Sequence, residues 1–213
     1  MARYTGPKEK IERRLGVKLF LKGERSYSPK SAMTKRPYPP GAHGNKLAGK
    51  RRLSEYGQQL QSKQKVKNMY RMLERQFKNL VQESMKSKDE STNLIVEKLE
   101  SRLDNVVFRC GFAQSRDQAR QIVNHGHIVV NKKKVDIASS NVKKDSMISI
   151  REASKKLPYF SNLMPQWFAQ HEPPSWVSVD KASFTAKING RPAINESGVE
   201  AKDLRSIIEF YSR

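Results

Sequence analysis

One cysteine in 213 residues, Cys110, excludes an internal disulfide and any site that needs several thiolates. The four histidines, His43, His125, His127 and His171, fall at no spacing that would make a zinc set, so neither a metal nor a redox cofactor is expected. Apolar residues never approach the roughly 18 in succession that a spanning helix needs, and the mean hydropathy is -0.78. The opening "MARYTGPKEKIERR" also lacks the apolar stretch of a signal peptide. A cytoplasmic chain with no membrane partner is the expectation. Phosphate-loop, zinc-protease and serine-elbow motifs (G-x-x-x-x-G-K-[ST], H-E-x-x-H, G-x-S-x-G) are all missing. Acidic residues are scarce too: 21 Asp and Glu stand against 42 Lys and Arg, a formal net charge of +21. Such an excess repels itself unless a polyanion neutralises it, which points to nucleic acid.

The positive charge is concentrated at one end. Residues 1–55 hold 15 Lys and Arg against 4 Asp and Glu, together with Pro7, Pro29, Pro37, Pro39 and Pro40 and six of the eleven glycines. Apolar residues there are sparse, so residues 1–52 are expected to be an extended basic arm that orders on a partner. A flexible solubilising tail is the plainer alternative, but Tyr27, Tyr38 and the turn "YPPGAHG" favour a docked path, since proline lowers the entropy cost of ordering. The candidate contacts along it are Arg3, Arg13, Arg14, Lys18, Lys22, Lys35, Arg36, His43, Lys50, Arg51 and Arg52.

From Leu53 the pattern becomes helical, with Ser54 as a cap. Val66, Met69, Leu73, Phe77 and Leu80 step by three and four along one face, and Lys67, Arg71, Arg75 and Lys78 keep the same spacing on the other. Few acids accompany that second set, so it reads as a cationic binding stripe, joined by Lys63 and Lys65, rather than a solvated face. A further helix runs from about Thr92, with Leu99, Leu103, Val106 and Cys110 on its buried side and Gly111 as its stop.

Ser115 and Gln118 then form an S-x-x-Q capping box that starts a helix buried through Ala119, Ile122 and Val123 and ended by Gly126. Its cap leaves Arg116 and Arg120 free to share an exposed, anion-binding face, with His125 at the far end. "HIVVN" and "KVDI" read as a hairpin tipped by Lys132, Lys133 and Lys134, and "SMISI" as a third strand. Arginines on a helix beside a lysine-tipped turn suit the grip of structured RNA by backbone and shape. Ordinary surface lysines are the plainer reading of any one of them. Farther on, "PPSWVSVD" enters a strand, Asn189-Gly190 signals a hairpin between "FTAKI" and "RPAI", and Ile207, Ile208 and Phe210 make the last segment amphipathic.

The segments "MARYTGPK", "RRLG", "PPGAHG", "LSEYGQQLQSKQKVKNMYRMLERQF", "LESRLDNVVFRCGFAQSRDQARQIVNHGHIVVN", "ISIRE" and "IIEFYSR" together resemble the family of small-subunit ribosomal protein S-four, over nearly the whole chain. The resemblance implies an α+β architecture: the basic arm 1–52, a helical domain 53–92 completed by 180–213, and an inserted S-four-type module with a small, mainly antiparallel sheet at 93–179. It implies direct, early binding of small-subunit ribosomal RNA at a multi-helix junction, nucleating assembly of the subunit body. It also implies contact with neighbouring ribosomal proteins, the fifth of the subunit among them, a position where messenger RNA enters, and an influence on decoding accuracy. The arm lacks the zinc-binding cysteines of some members, the usual Asn-Gly of the hairpin is Asn131-Lys132, and "VDKASFTAKINGRPAINES" matches loosely.

Two other classes stay in view. One type of RNA pseudouridine synthase carries such a module and a catalytic aspartate in an R-L-D context, as in Arg102-Leu103-Asp104. Against it, "NVVFRCG" follows instead of a threonine and glycine turn, and little chain is left for a catalytic domain. A free RNA chaperone would share every charge feature.

Overall fold

A computed structural model describes residues 4–46, 53–87 and 90–212, which form two compact units: Met1–Ile95 with Gly198–Arg213, and Val96–Ser197. In the first, α1 (Lys8–Leu15), α2 (Glu24–Tyr27) and α3 (Ala32–Lys35) give the front of the chain regular structure. Among the described residues the front of the chain is therefore not the coreless extended arm expected of 1–52. Leu15, Leu19 and Leu21 are buried against Ile11 and Met69. Glu12, only 2% exposed, accepts the backbone N–H groups of Leu19 and Leu21 through Oε1 at 3.0 and 3.3 Å. A buried carboxylate bonded in this way replaces the hydrogen bonds that the loop backbone loses to water.

Ser54 does cap α4 (Glu55–Met69), its Oγ accepting from Gly57 N at 3.2 Å. The single helix expected beyond it is two, because the backbone turns at Tyr70–Leu73, with Arg71 at φ 55°, before α5 (Glu74–Met85). Val66, Tyr70, Met72, Phe77 and Val81 are buried around that break. α6 (Ser91–Glu100) follows, and its last residues belong to the second unit.

α6 also ends earlier than the helical pattern suggests. Arg102 is extended, and α7 (Leu103–Arg109) begins only after it. The interruption is held by backbone hydrogen bonds to a later segment: Leu103 N to Ser140 O at 2.8 Å, Asp104 N to Ala138 O at 3.0 Å and Val142 N to Ser101 O at 2.8 Å. α8 (Arg116–Asn124) packs against α7 and ends at Gly126, φ 72°. Then come β1 (Ile128–Val130), β2 (Lys133–Lys134) and β3 (Met147–Ile150), α9 (Glu152–Lys155), a π-turn at Tyr159–Leu163, α10 (Pro165–Phe168), β4 (Val177–Asp180), β5 (Thr185–Ile188) and α11 (Ile194–Ser197).

The strands form one antiparallel sheet in the order β2-β1-β3-β5-β4. Alternation sorts its faces. Ile128, Ile148, Ile150, Ala186 and Ile188 join the core with Leu103, Val106, Val107, Cys110, Phe112, Phe160 and Trp176, while Met147 and Lys187 point to water. Cys110 has no exposed surface, and burial pushes its thiol pKa up. The expected hairpin at Asn189-Gly190 is not formed: the turn lies at 181–184, β5 pairs with β4 before it and with β3, and "RPAI" is not a strand. That pairing draws 180–197, expected with the helical domain, into the second unit. The chain returns to the first unit in α12 (Ala201–Ser212), whose buried Leu204 and Ile207 pack on α4 and α5.

Candidate nucleic-acid interface

The expected cationic residues fall into two classes, those facing water and those consumed inside the fold. In the first unit Arg14, Lys18, Lys22, Lys35, Arg36, His43, Arg75 and Lys78 are exposed. Arg3, Lys50, Arg51 and Arg52 lie outside the described residues. Arg13 is a clamp: its Nε donates to Arg36 O and Tyr38 O, both at 3.0 Å, and its guanidinium sits 5.0 Å from the Tyr38 ring centre. The docked path expected from Tyr38 and its prolines is thus a path over α1.

The helical stripe is dismantled by the turn at Arg71. Arg71 is 7% exposed, donates to Tyr4 O at 3.0 Å and lies over the Tyr4 ring. Lys63 and Lys67 both bind Glu74, at 2.6 and 2.9 Å, and the Lys63 ammonium stands 4.5 Å from the Phe210 ring centre. Burial would raise the Glu74 pKa, but hydrogen bonds from Lys63, Lys67 and Tyr211 outweigh it and hold the carboxyl at about 2. Lys65 meets Asp203 at 2.7 Å and Glu200 at 2.9 Å. Burial works against its charge, yet these two carboxylates keep its pKa above the ordinary lysine value. Its partners, Asp203 in α12 and Glu200 just before it, lie about 135 residues along the chain, where no i,i+4 rule would find them.

The second unit shows the same division. Ser115 Oγ accepts from Gln118 N at 3.3 Å, so the Ser115 cap forms as expected, while the Gln118 carboxamide reaches one residue farther back than a capping box and accepts from Gln114 N at 2.8 Å. The arginines it was expected to present are turned inward, however. Arg120 is 2% exposed and lies 3.6 Å from Asp104, which also receives Arg102 through two bonds of 3.1 and 2.7 Å. Arg116 donates to Asn105 Oδ1 at 2.7 Å, stands 3.8 Å from the Glu100 carboxylate and lies over the Phe108 ring. Glu100 is fully buried and takes two bonds of 2.8 Å from Arg109 and one of 2.7 Å from Asn105. Removing charges of both signs from water is tolerable only in such a bonded cluster, so these arginines are committed to partners inside the module.

Asp104, the residue that raised the synthase alternative, is 4% exposed and committed to Arg102 and Arg120.

What does face water is the hairpin. Lys132, Lys133 and Lys134 are all exposed, as is His125. Asn131 and Lys132 both have positive φ, 48° and 64°, the geometry of a type I′ turn, so the turn keeps its shape without glycine. Asn131 is suited to it: its N–H donates to Met147 O and its Oδ1 accepts from Met147 N, both at 2.8 Å. Lys143, Lys144, Arg151 and Lys156, none of them among the expected contacts, are exposed as well, and the paired lysines in "NVKKDS" and "REASKK" are the visible signal of this. Among the described residues no helix is long and apolar enough to cross a membrane, and no cluster of His, Cys, Asp and Glu could hold a metal.

These features can be set beside known proteins. Residues 3–101 match the family described as "Ribosomal protein S4/S9 N-terminal domain", and residues 101–148 match the "S4 domain". Proteins named "Small ribosomal subunit protein uS4" from Thermotoga petrophila and Thermus thermophilus are 44% and 45% identical to the chain over 213 residues, covering 100% of both partners. The protein of that name from Kosmotoga olearia is 44% identical over 214 residues, again at full coverage. The chain belongs to the uS4 family of small ribosomal subunit proteins and is not an enzyme.

Proposed function

We propose that the chain binds small-subunit ribosomal RNA directly at a multi-helix junction and helps nucleate assembly of the subunit body, in the cytoplasm. The full-length identity to uS4 proteins carries this reading. The physical support is a net charge of +21 whose exposed part, Arg14, Lys18, Lys22, Lys35, Arg36, Arg75 and Lys78 in one unit and Lys132–Lys134 in the other, lacks enough carboxylate to neutralise it. Exposed lysines on a short turn reach phosphate as flexible point charges and read shape rather than sequence. The finer reading places the chain beside neighbouring ribosomal proteins, the fifth of the subunit among them, where messenger RNA enters, with an effect on decoding accuracy.

The test is footprinting of the purified chain on naked small-subunit ribosomal RNA, at moderate salt with excess transfer RNA. Protection confined to one multi-helix junction supports the reading. Diffuse protection that transfer RNA removes would leave only non-specific affinity of the kind a chaperone has.

A further inference from the structure

A pocket of about 250 Å³ opens in the second unit between the C-terminal end of α8 and the segment around the π-turn. Pockets for drug-sized ligands run to about 300–1,000 Å³, so this one suits a single small ring system. One wall is polar, with Gln121, His125 and His127, and the other is apolar and aromatic, with Leu157, Tyr159 and Phe160. The polar wall is partly fixed in advance. His127 Nδ1 is bonded to Ser154 Oγ at 2.9 Å, and its ring meets Phe160 edge-on at 5.6 Å and His125 at 5.8 Å. That leaves Nε2 as the His127 nitrogen open to a ligand. Burial first, and then the neighbouring His125 and Arg151, lower the His127 pKa, which favours the neutral ring over a point charge for phosphate. Gln121 and His125 are exposed and add further donors and acceptors. Exposed Arg151, electrostatically felt by His127, and exposed Lys156, next to Leu157, stand outside the pocket as cations.

A planar, uncharged group edged with hydrogen-bonding atoms and tethered to phosphates matches this combination. The geometry points to a subsite for one unstacked nucleobase of the bound RNA, its edge read by Gln121, His125 and His127 and its face against Leu157, Tyr159 and Phe160. The inference rests on the RNA-binding reading above. It adds a base-reading position to a surface that otherwise holds backbone: single bases splayed from loops and bulges are recognised through their edges and by stacking.

The test uses the full chain on small-subunit ribosomal RNA with transfer RNA competitor, comparing the natural protein with the double variant Gln121→Ala, His125→Ala. Both side chains are exposed, so the circular dichroism spectrum is expected to be unchanged. Affinity is expected to fall about five- to twentyfold, as loss of two hydrogen bonds would give. The slope of log K against log salt stays the same, and one base that the natural protein shields from base-specific reagents becomes reactive. His125→Gln, which keeps a donor and an acceptor, is expected to retain most of the affinity. Natural affinity and footprint in the double variant would overturn the subsite and leave RNA binding standing. A weakened variant with a flattened salt slope would overturn it as well, by making these residues backbone contacts. Complete competition of the natural protein by transfer RNA would remove the RNA-binding reading and the subsite with it.

Discussion

Glu100 carries a carboxylate with no exposed surface, bonded by Arg109 and Asn105 and faced by Arg116. Breaking such a cluster by removing one partner costs about 3–5 kcal/mol, because the other charges stay buried. Glu100→Gln should therefore lower the stability of the second unit by that amount in urea unfolding followed through Trp167 and Trp176 fluorescence. Lys133→Ala, on an exposed side chain, should move stability by less than about 0.5 kcal/mol while weakening RNA binding. Lys132 pairs the same loss of binding with a gain in stability. It holds φ 64° without being glycine, so Lys132→Gly should stabilise the hairpin by up to about 1 kcal/mol and weaken RNA binding through the lost charge. Residue by residue, what could be read beforehand was local. Ser54, Ser115 and Gly126 act within three or four positions of themselves, and each does so as expected. Arg116 and Arg120 obey partners outside their own helix, Glu100, Asn105 and Asp104, and spacing within α8 cannot reveal those.

The break between α4 and α5 shows how one backbone turn reassigns a whole face. With a continuous helix, Lys67 and Arg71 would lie four apart on a shared stripe. With Arg71 at φ 55°, one pairs with Glu74 and the other lies over the Tyr4 ring. The apolar spacing gave no warning, since Val66 and Phe77 are buried on either side of the turn. Glu74 at the start of α5 now joins three elements through Lys63, Lys67 and Tyr211, and its pKa of about 2 makes the joint sensitive to acid. A carboxyl whose folded pKa is depressed stabilises the fold above its unfolded pKa, near 4.5, and that contribution is lost as the pH falls toward 2. The side chain is 45% exposed, so screening keeps the contribution to about 1 kcal/mol. Glu74→Gln should flatten the dependence of stability on pH between 4.5 and 2 and change little within that window's acid end. Urea midpoints measured across the range check this. The front of the chain teaches the complementary lesson: Glu9 and Glu12, two of its few acids, are placed where each can bond a later backbone N–H, so a segment too polar for a core of its own acquires order from carboxylates.

For the whole chain, the proposed grip on RNA rests on charge, while buried clusters hold each unit together. Not all of the chain's 42 Lys and Arg are available to a ligand, because Lys63, Lys65, Lys67, Arg102, Arg109, Arg116 and Arg120 are spent on internal partners. RNA affinity should fall steeply with salt, log K against log salt having a slope of about 0.9 per neutralised duplex phosphate or 0.7 for single strands. Filter binding over a salt series measures it, and a nearly flat line would contradict a phosphate-dominated grip. The ribosomal family and the α+β class were legible because the motifs run the length of the chain. The division into units was less so, since the pairing of β5 with β3 joins residues some 40 apart through a strand with only four residues. Finally, the lone thiol of Cys110 sits in the buried core of the second unit with its ionisation suppressed, so a maleimide or disulfide reagent has nothing to attack while the sheet and α7 hold together. Each labelling event must wait for that unit to open. The chain thus contains its own stopwatch: the rate at which Cys110 is modified in free protein, compared with protein on RNA, times how far a bound partner slows the opening.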